Sequence, residues 1–338
     1  MSDTVAPEAR RAGLRLPAAL SASTPVFVLL GVLLIVLAFV DIGFYEPDRL
    51  LAFIRRAAPL IILAAGQYFV MVSGGFDLSV GSIVTVGVVV AAELFNIVPD
   101  MPWPVAVLIL LVAGMVVGLL NGLVSTVLAV PSFITTLGMM LILQGAVFFW
   151  TQGAPRGYLS EGYRTLGRGM VPGLPWLPWA VVVLVVIAVA AVLFMRSDTG
   201  RTLVATGDND AAAALSGVRV HRLRVSAFVL SGLAAAMAAV LVGGFTGISA
   251  QAGNGMEFEA ITAVVLGGVA LGGGRGSVVA AMAGALSLQT LFTLLTMLGV
   301  SGALESTVQG VIVIAAVALG AVSWSRRRRV PNSTKERR

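Results

Sequence analysis

Pro104 to Thr126 read PVAVLILLVAGMVVGLLNGLVST, 23 residues without one ionisable side chain. Coiled as an α-helix, such a run reaches about 35 Å, enough to cross the roughly 30 Å hydrocarbon core of a bilayer. Gly114, Gly118 and Gly122 recur within it every four residues and share one face of that helix. Small residues at this spacing let two helices approach closely in lipid, where burial supplies little drive. The stretch reads as a membrane span packed through its glycine face.

Similar runs fill the chain. Apolar stretches fall at 25–44, 57–73, 80–98, 132–150, 178–195, 225–247, 259–272, 277–299 and 303–324, which with 104–126 makes about ten. The first, from Pro25 to Phe44, is too long for a signal core and reads as a retained helix. Composition agrees: of 338 residues 58% are hydrophobic and 11% charged, against about 25% charged in soluble domains. The expected fold is an all-α polytopic membrane protein, with tails at 1–20 and 326–338 and a transmembrane domain over 21–325.

Charge gives the orientation. If the N-terminus is cytoplasmic, 16 of the 22 basic residues lie inside, in the tails, in the 196–224 loop and at Arg275. Arg49, Arg55, Arg56, Arg156, Arg164 and Arg168 lie outside. This asymmetry predicts both termini inside, and it explains the net charge of +6 without a nucleic-acid partner.

What is missing excludes several chemistries. There is no Cys, the only His is His221, and the only Lys is Lys335 near the C-terminus. Thiol chemistry and a His-cluster metal site are therefore excluded, and a phosphate-binding G-x-x-x-x-G-K-[ST] loop has no Lys to use. No metal or cofactor is expected on this chain. An intramembrane serine protease with a His base is disfavoured, since His221 lies in a basic loop.

Two loops stand out. Residues 151–177 are rich in Gly and Pro and read as an irregular extracytoplasmic segment. The 196–224 loop carries Asp208 at an expected N-cap, then Asn209, Asp210 and four alanines including Ala212 and Ala213, then Leu215, with Gly217 at an expected C′ position. It predicts a short cytoplasmic helix between two spans. A weak internal echo links 73–82, SGGFDLSVGS, with 266–277, LGGVALGGGRGS. Polar groups at membrane depth are few, and Asp77, Ser79, Asn121 and Gln289 are the residues singled out for a translocation path or gate. Capping and helix–helix hydrogen bonding are the competing roles for them.

Four segments in order resemble a known family. Gly74-Gly75-Phe76-Asp77-Leu78-Ser79-Val80-Gly81 is similar to the G-x-D-L-S-V-G segment of the permease subunits of bacterial ribose-type monosaccharide importers of the ABC class. Asn121-Gly122 with Pro131-Ser132-Phe133-Ile134-Thr135-Thr136-Leu137-Gly138 resembles the family's N-G…P-x-F-I-x-T-L-G stretch. Gly207-Asp208-Asn209 through Gly217-Val218 resembles its cytoplasmic loop, and Ala263 through Gly276 its A-V-x-L-G-G…G-G-x-G segment. Asp208 stands where the family often has Gly, and Val218 where it has Ile.

The resemblance implies a permease in the bacterial inner membrane, paired with a second permease subunit, identical or homologous. ATP and Mg would sit on a partner ATPase, and a periplasmic or lipid-anchored solute-binding protein would deliver the sugar. The short helix at Asp208–Ser216 would transmit ATPase closure. Branched-chain amino-acid permeases and a self-contained secondary transporter are the alternatives at this point.

Overall fold

The structure is a computed structural model. It describes residues 18–300 together with 302, 304, 307–312 and 314. Helices follow in order: α1 Ala18–Val40, α2 Pro47–Val72, α3 Val80–Ile97, α4 Trp103–Thr126, α5 Ser132–Thr151, α6 Glu161–Arg168, α7 Trp179–Arg196, α8 Asp198–Asp208, α9 Asp210–Leu215, α10 Val220–Thr246, α11 Met256–Leu266 and α12 Val278–Met297. A 3-10 turn at Ile42–Tyr45 joins α1 to α2, and a two-stranded hairpin, β1 Met170–Val171 and β2 Leu174–Pro178, precedes α7.

Among the described residues, seven helices, α2, α3, α4, α5, α7, α10 and α12, are long and apolar enough to cross a membrane. The protein is thus a polytopic helical membrane protein, and several expected stretches are redrawn. The expected span at 259–272 is α11, 11 residues ending at Leu266, which at 1.5 Å per residue covers about 16 Å. Two glycines, Gly267 and Gly268, stop it. The expected 303–324 span lies largely outside the described residues, as do most of the two tails. The 57–73 run begins nearly three turns earlier, at Pro47, so Arg49, Arg55 and Arg56 belong to α2 itself. The 151–177 loop is not irregular throughout: it holds α6, capped by Ser160, and the hairpin.

α2, α3, α10 and α12 are the buried elements, while α4, α5 and α7 turn most of their apolar side chains outward. This is what lipid-facing helices require. α10 is the hub and packs against α4, α2 and α3. The glycine face of α4 is what lets α4 close on it. A Cβ at Gly114 would overlap the carbonyl of Gly232, one at Gly118 the carbonyl of Phe228, and one at Gly122 the backbone of Val225. The sequence-predicted close approach is therefore real, and its partner is α10.

In the N-terminal half of α2, Arg55 donates to the carbonyl of Arg168 at 3.2 Å and stacks 5.4 Å from the ring centroid of Phe245. Arg168 in turn bonds Glu161 at 2.6 and 2.8 Å, which holds that carboxyl below its ordinary range. Arg55 thus has a packing role, tying α2 to the end of α6 and to α10.

Candidate functional site

Between α2 and α3 the chain is unwound from Ser73 to Ser79 and folds back along the last turns of α2. Inside a membrane such backbone must be satisfied by protein groups. Gly74 N donates to Met71 O at 3.0 Å and Gly75 N to Val70 O at 3.0 Å. Phe76 N donates to Ser132 Oγ at 3.1 Å, and Thr136 Oγ1 donates to Phe76 O at 3.3 Å. Gln67, with its amide turned to satisfy both groups, donates to Asp77 O at 3.1 Å and accepts from Asp77 N at 3.3 Å.

The Asp77 side chain closes the arrangement. Its Oδ1 accepts from Ser79 N at 3.0 Å and Ser79 Oγ at 2.6 Å, and its Oδ2 accepts from Ser231 Oγ at 2.9 Å. Asn121 Nδ2 donates to Ser79 Oγ at 2.8 Å. Asp77, Ser79, Asn121 and Ser231 are all fully buried. One network therefore ties the break to α2, α4 and α10. Of the residues singled out from sequence, Asp77, Ser79 and Asn121 come together here, whereas Gln289 lies half-buried on α12 outside the network. Gln67, Ser132, Thr136 and Ser231 complete it.

A second break lies between α11 and α12, at 267–277, and the two breaks meet. Gly274 N donates to Val72 O at 2.8 Å. Gly207, at the end of α8, enters the same place: a Cβ there would overlap both Val72 O and Gly274 N. The internal echo seen in sequence is therefore a spatial pair, and the loop between α7 and α10 is wedged against both halves of it.

That loop is two helices rather than one. α8 runs from Asp198 to Asp208, and the chain then becomes extended at Asn209. Asn209, not Asp208, is the N-cap of α9, because Asp208 still belongs to α8 and only Asn209 has the extended backbone a cap needs. Asn209 Oδ1 accepts from Ala212 N at 2.9 Å. At the other end Gly217 has φ +84, and Val218 N donates to Ala213 O at 3.1 Å, as the glycine stop predicts. Ala212 and Asp208 face solvent, Leu215 is 92% exposed, and Ala213 is buried. A groove of about 510 Å3 runs between α8 and α9, lined by Arg201, Asp208, Asn209, Ala212 and Ser216 among others. Arg224 on α10 joins α9 to the first break, with Nη2 3.3 Å from Asp210 Oδ2 and Nε 3.3 Å from Ser73 O.

Comparison with known proteins assigns this architecture. A family model described as "Branched-chain amino acid transport system / permease component" matches residues 49–317. The ribose import permease protein RbsC of Bacillus subtilis is 35% identical over 296 residues, covering 87% of this chain and 91% of the relative. The chain belongs to the ribose-type family of ABC importer permeases. RbsC of Escherichia coli K12 is 32% identical over 291 residues, 85% of this chain and 89% of the relative. The galactose/methyl galactoside import permease MglC of the same strain is 33% identical over 319 residues, 90% and 95% respectively. No solved structure matches.

Within the permease, sequence reasoning located the first break and the α9 region but missed their connectors. Arg224 looked like one more basic residue flanking a span, and only its two acceptors mark it out. Glu257, an acid near a helix end that the sequence does not single out, is buried in the bundle at 3% exposure. Its signal was present: an acidic residue just after the Gly253-Asn254-Gly255 turn, at the start of an apolar run.

Proposed function

We propose that the chain is the membrane-spanning subunit of an ATP-driven importer that moves a monosaccharide or related polyol handed over by a solute-binding protein. The relatives named for ribose and galactose import support the substrate class. Two permease subunits, identical or homologous, form the pore in the bacterial inner membrane. ATP and Mg are bound by a partner ATPase, since the sole Lys of this chain is Lys335 and cannot serve an internal phosphate loop. The chain crosses the bilayer ten times with both termini inside: the seven long helices, α1, α11 together with the 247–255 segment that leads into it, and the expected 303–324 stretch.

The observation that carries the mechanism is the meeting of Gly207 with Val72 and Gly274. α9 offers Leu215, Ala212 and its other exposed alanines to the ATPase, while buried Ala213 seats it on the permease. Asn209 and Gly217 fix its ends, and Asp208 lines the groove beside it. When the ATPase closes on ATP, a shift of α9 reaches α10 through the Asp210–Arg224 pair and reaches both helix breaks through Gly207. The breaks are where a rigid bundle can change between outward and inward openings, because their backbone is held by turn and cross-segment hydrogen bonds and not by a helical ladder. Asp77, Ser79 and Asn121 hold the first break closed, and Gln289 on α12 is assigned to the path wall.

Reconstitution tests this reading. The permease, its ATPase and its solute-binding protein in proteoliposomes are expected to take up D-ribose or D-galactose with ATP inside. Uptake of leucine instead would favour the amino-acid branch that the family description names. Uptake by the chain alone under an ion gradient would overturn the ATP-driven reading.

A further inference from the structure

After α10 the chain does not go straight into the next helix. It turns at Gly247 and re-enters the bundle, so that Gly253 N donates to Thr85 Oγ1 at 3.0 Å and a Cβ at Gly253 would overlap Gly81 O. The depth of this contact follows from register. α3 and α10 run parallel, with Asp77 against Ser231, Gly87 against Ala239 and Val88 against Gly243. Gly81 therefore stands level with about residue 233, the middle of α10 at 220–246. α3 and the short α11 both begin here, deep in the bundle, and their N-termini meet.

Glu257 lies in the first turn of α11 and is almost wholly buried. The N–H groups of Gly255 and Glu257 itself face its carboxylate. Its Oε2 is pressed against α3 where Gly81 lacks a side chain, and it has no hydrogen-bond partner. Ser82, the next residue on α3, also has a buried hydroxyl without a partner. Among the described residues no ion pair includes Glu257. Capping α11 accounts for one oxygen only. A buried carboxylate oxygen with no donor is costly, and Asn or Ser would cap without incurring it. What this position lacks is a neutral donor, which a sugar hydroxyl supplies.

We infer that Glu257 is a substrate-binding residue of the permease: when the 247–255 loop parts from α3, its free oxygen accepts a hydroxyl hydrogen of the polyol in transit. This rests on the monosaccharide-importer reading above. The contact with Gly81 is then the closed state of the path, and the missing side chain at Gly81 is what lets the carboxylate be stored there.

The absence of Cys from the chain makes a direct test possible. In the reconstituted complex, Glu257→Cys gives this chain a single thiol, read on its own band with a water-soluble maleimide. Labelling is expected during ATP turnover and not without nucleotide, and it is expected to slow about tenfold when the transported sugar, D-ribose or D-galactose, is present in excess. Glu257→Gln is expected to raise the half-saturating sugar concentration for uptake about tenfold, more than it lowers the maximal rate, with the melting temperature unchanged. Labelling indifferent to a sugar that the wild-type complex does transport, or wild-type uptake kinetics in Glu257→Gln, would overturn the inference. A wild-type complex that transports neither sugar would overturn the underlying monosaccharide reading instead.

Discussion

Arg224 Nε lies 3.3 Å from the carbonyl oxygen of Ser73, across 151 residues of sequence. The same side chain reaches Asp210 on α9, so one guanidinium spans from α9 to the first break. The Asp210 pair is partly exposed and contributes about 1 kcal/mol or less to stability. Its value lies in transmission. Arg224→Ala is expected to lower ATP hydrolysis stimulated by the loaded binding protein about fivefold, at near-normal melting temperature. Arg224→Lys keeps the charge but cannot serve two acceptors from one planar group, and should recover only part. Normal stimulation in Arg224→Ala would rule out this connection.

The Asp77 network makes a stability prediction that separates its members. Asp77→Leu leaves Ser79 and Ser231 without their acceptor in a fully buried place, at about 1–3 kcal/mol for each orphaned group. Asp77→Asn keeps an acceptor oxygen and should cost much less. Ser231→Ala removes one donor and is expected to cost about 1 kcal/mol. Thermal unfolding in one detergent gives the order Leu, then Asn, with Ser231→Ala among the mild variants. An Asp77→Leu as stable as the wild type would show that the break is held by backbone contacts alone.

How much of this could be read beforehand follows from where each signal is stored. Gly114, Gly118 and Gly122 announce a close approach because the reason for a bare face is local to α4, although its partner α10 is not. Spans were legible wherever a long apolar run met ordinary turn residues. α11 was overdrawn because the Ala-Val-Val-Leu-Gly-Gly run is equally apolar whether it crosses a membrane or ends midway. The N-cap was misplaced by one residue because Asp208 and Asn209 both favour that role, and only the extended backbone at Asn209 decides it. The junction of Gly207, Val72 and Gly274 joins segments up to 202 residues apart and leaves no periodic trace in any of them. Glu257 was legible as an acid near a helix end, and its depth depended on a re-entrant loop that no local pattern announces.

The α4–α10 contact should not tolerate volume. Gly118→Leu places a branched side chain where the backbone of Phe228 lies, and the helices must separate or the chain misfold. Gly138→Leu is the control, since a Cβ there meets nothing within 4 Å. The expected outcome is loss of the monodisperse detergent-extracted peak for Gly118→Leu and retention for Gly138→Leu. Equal behaviour of the two would mean that the glycine face is not a packing surface.

Gly207 and Leu215 divide the coupling region into an inner and an outer task. Gly207→Val drives a side chain into Val72 O and Gly274 N, so the fault lies inside the permease. ATPase binding should survive, while transport per ATP hydrolysed falls. Leu215→Glu alters a side chain that is 92% exposed, so the fold and the membrane insertion should be untouched. Burying that new charge against an apolar groove of the ATPase costs about 2 kcal/mol or more, which weakens co-purification of the ATPase in mild detergent about thirtyfold. The two variants thus fail at different steps, one after docking and one at it. If Gly207→Val lost the ATPase and Leu215→Glu kept it, the docking face would have to be moved from α9 to another part of the 196–224 loop.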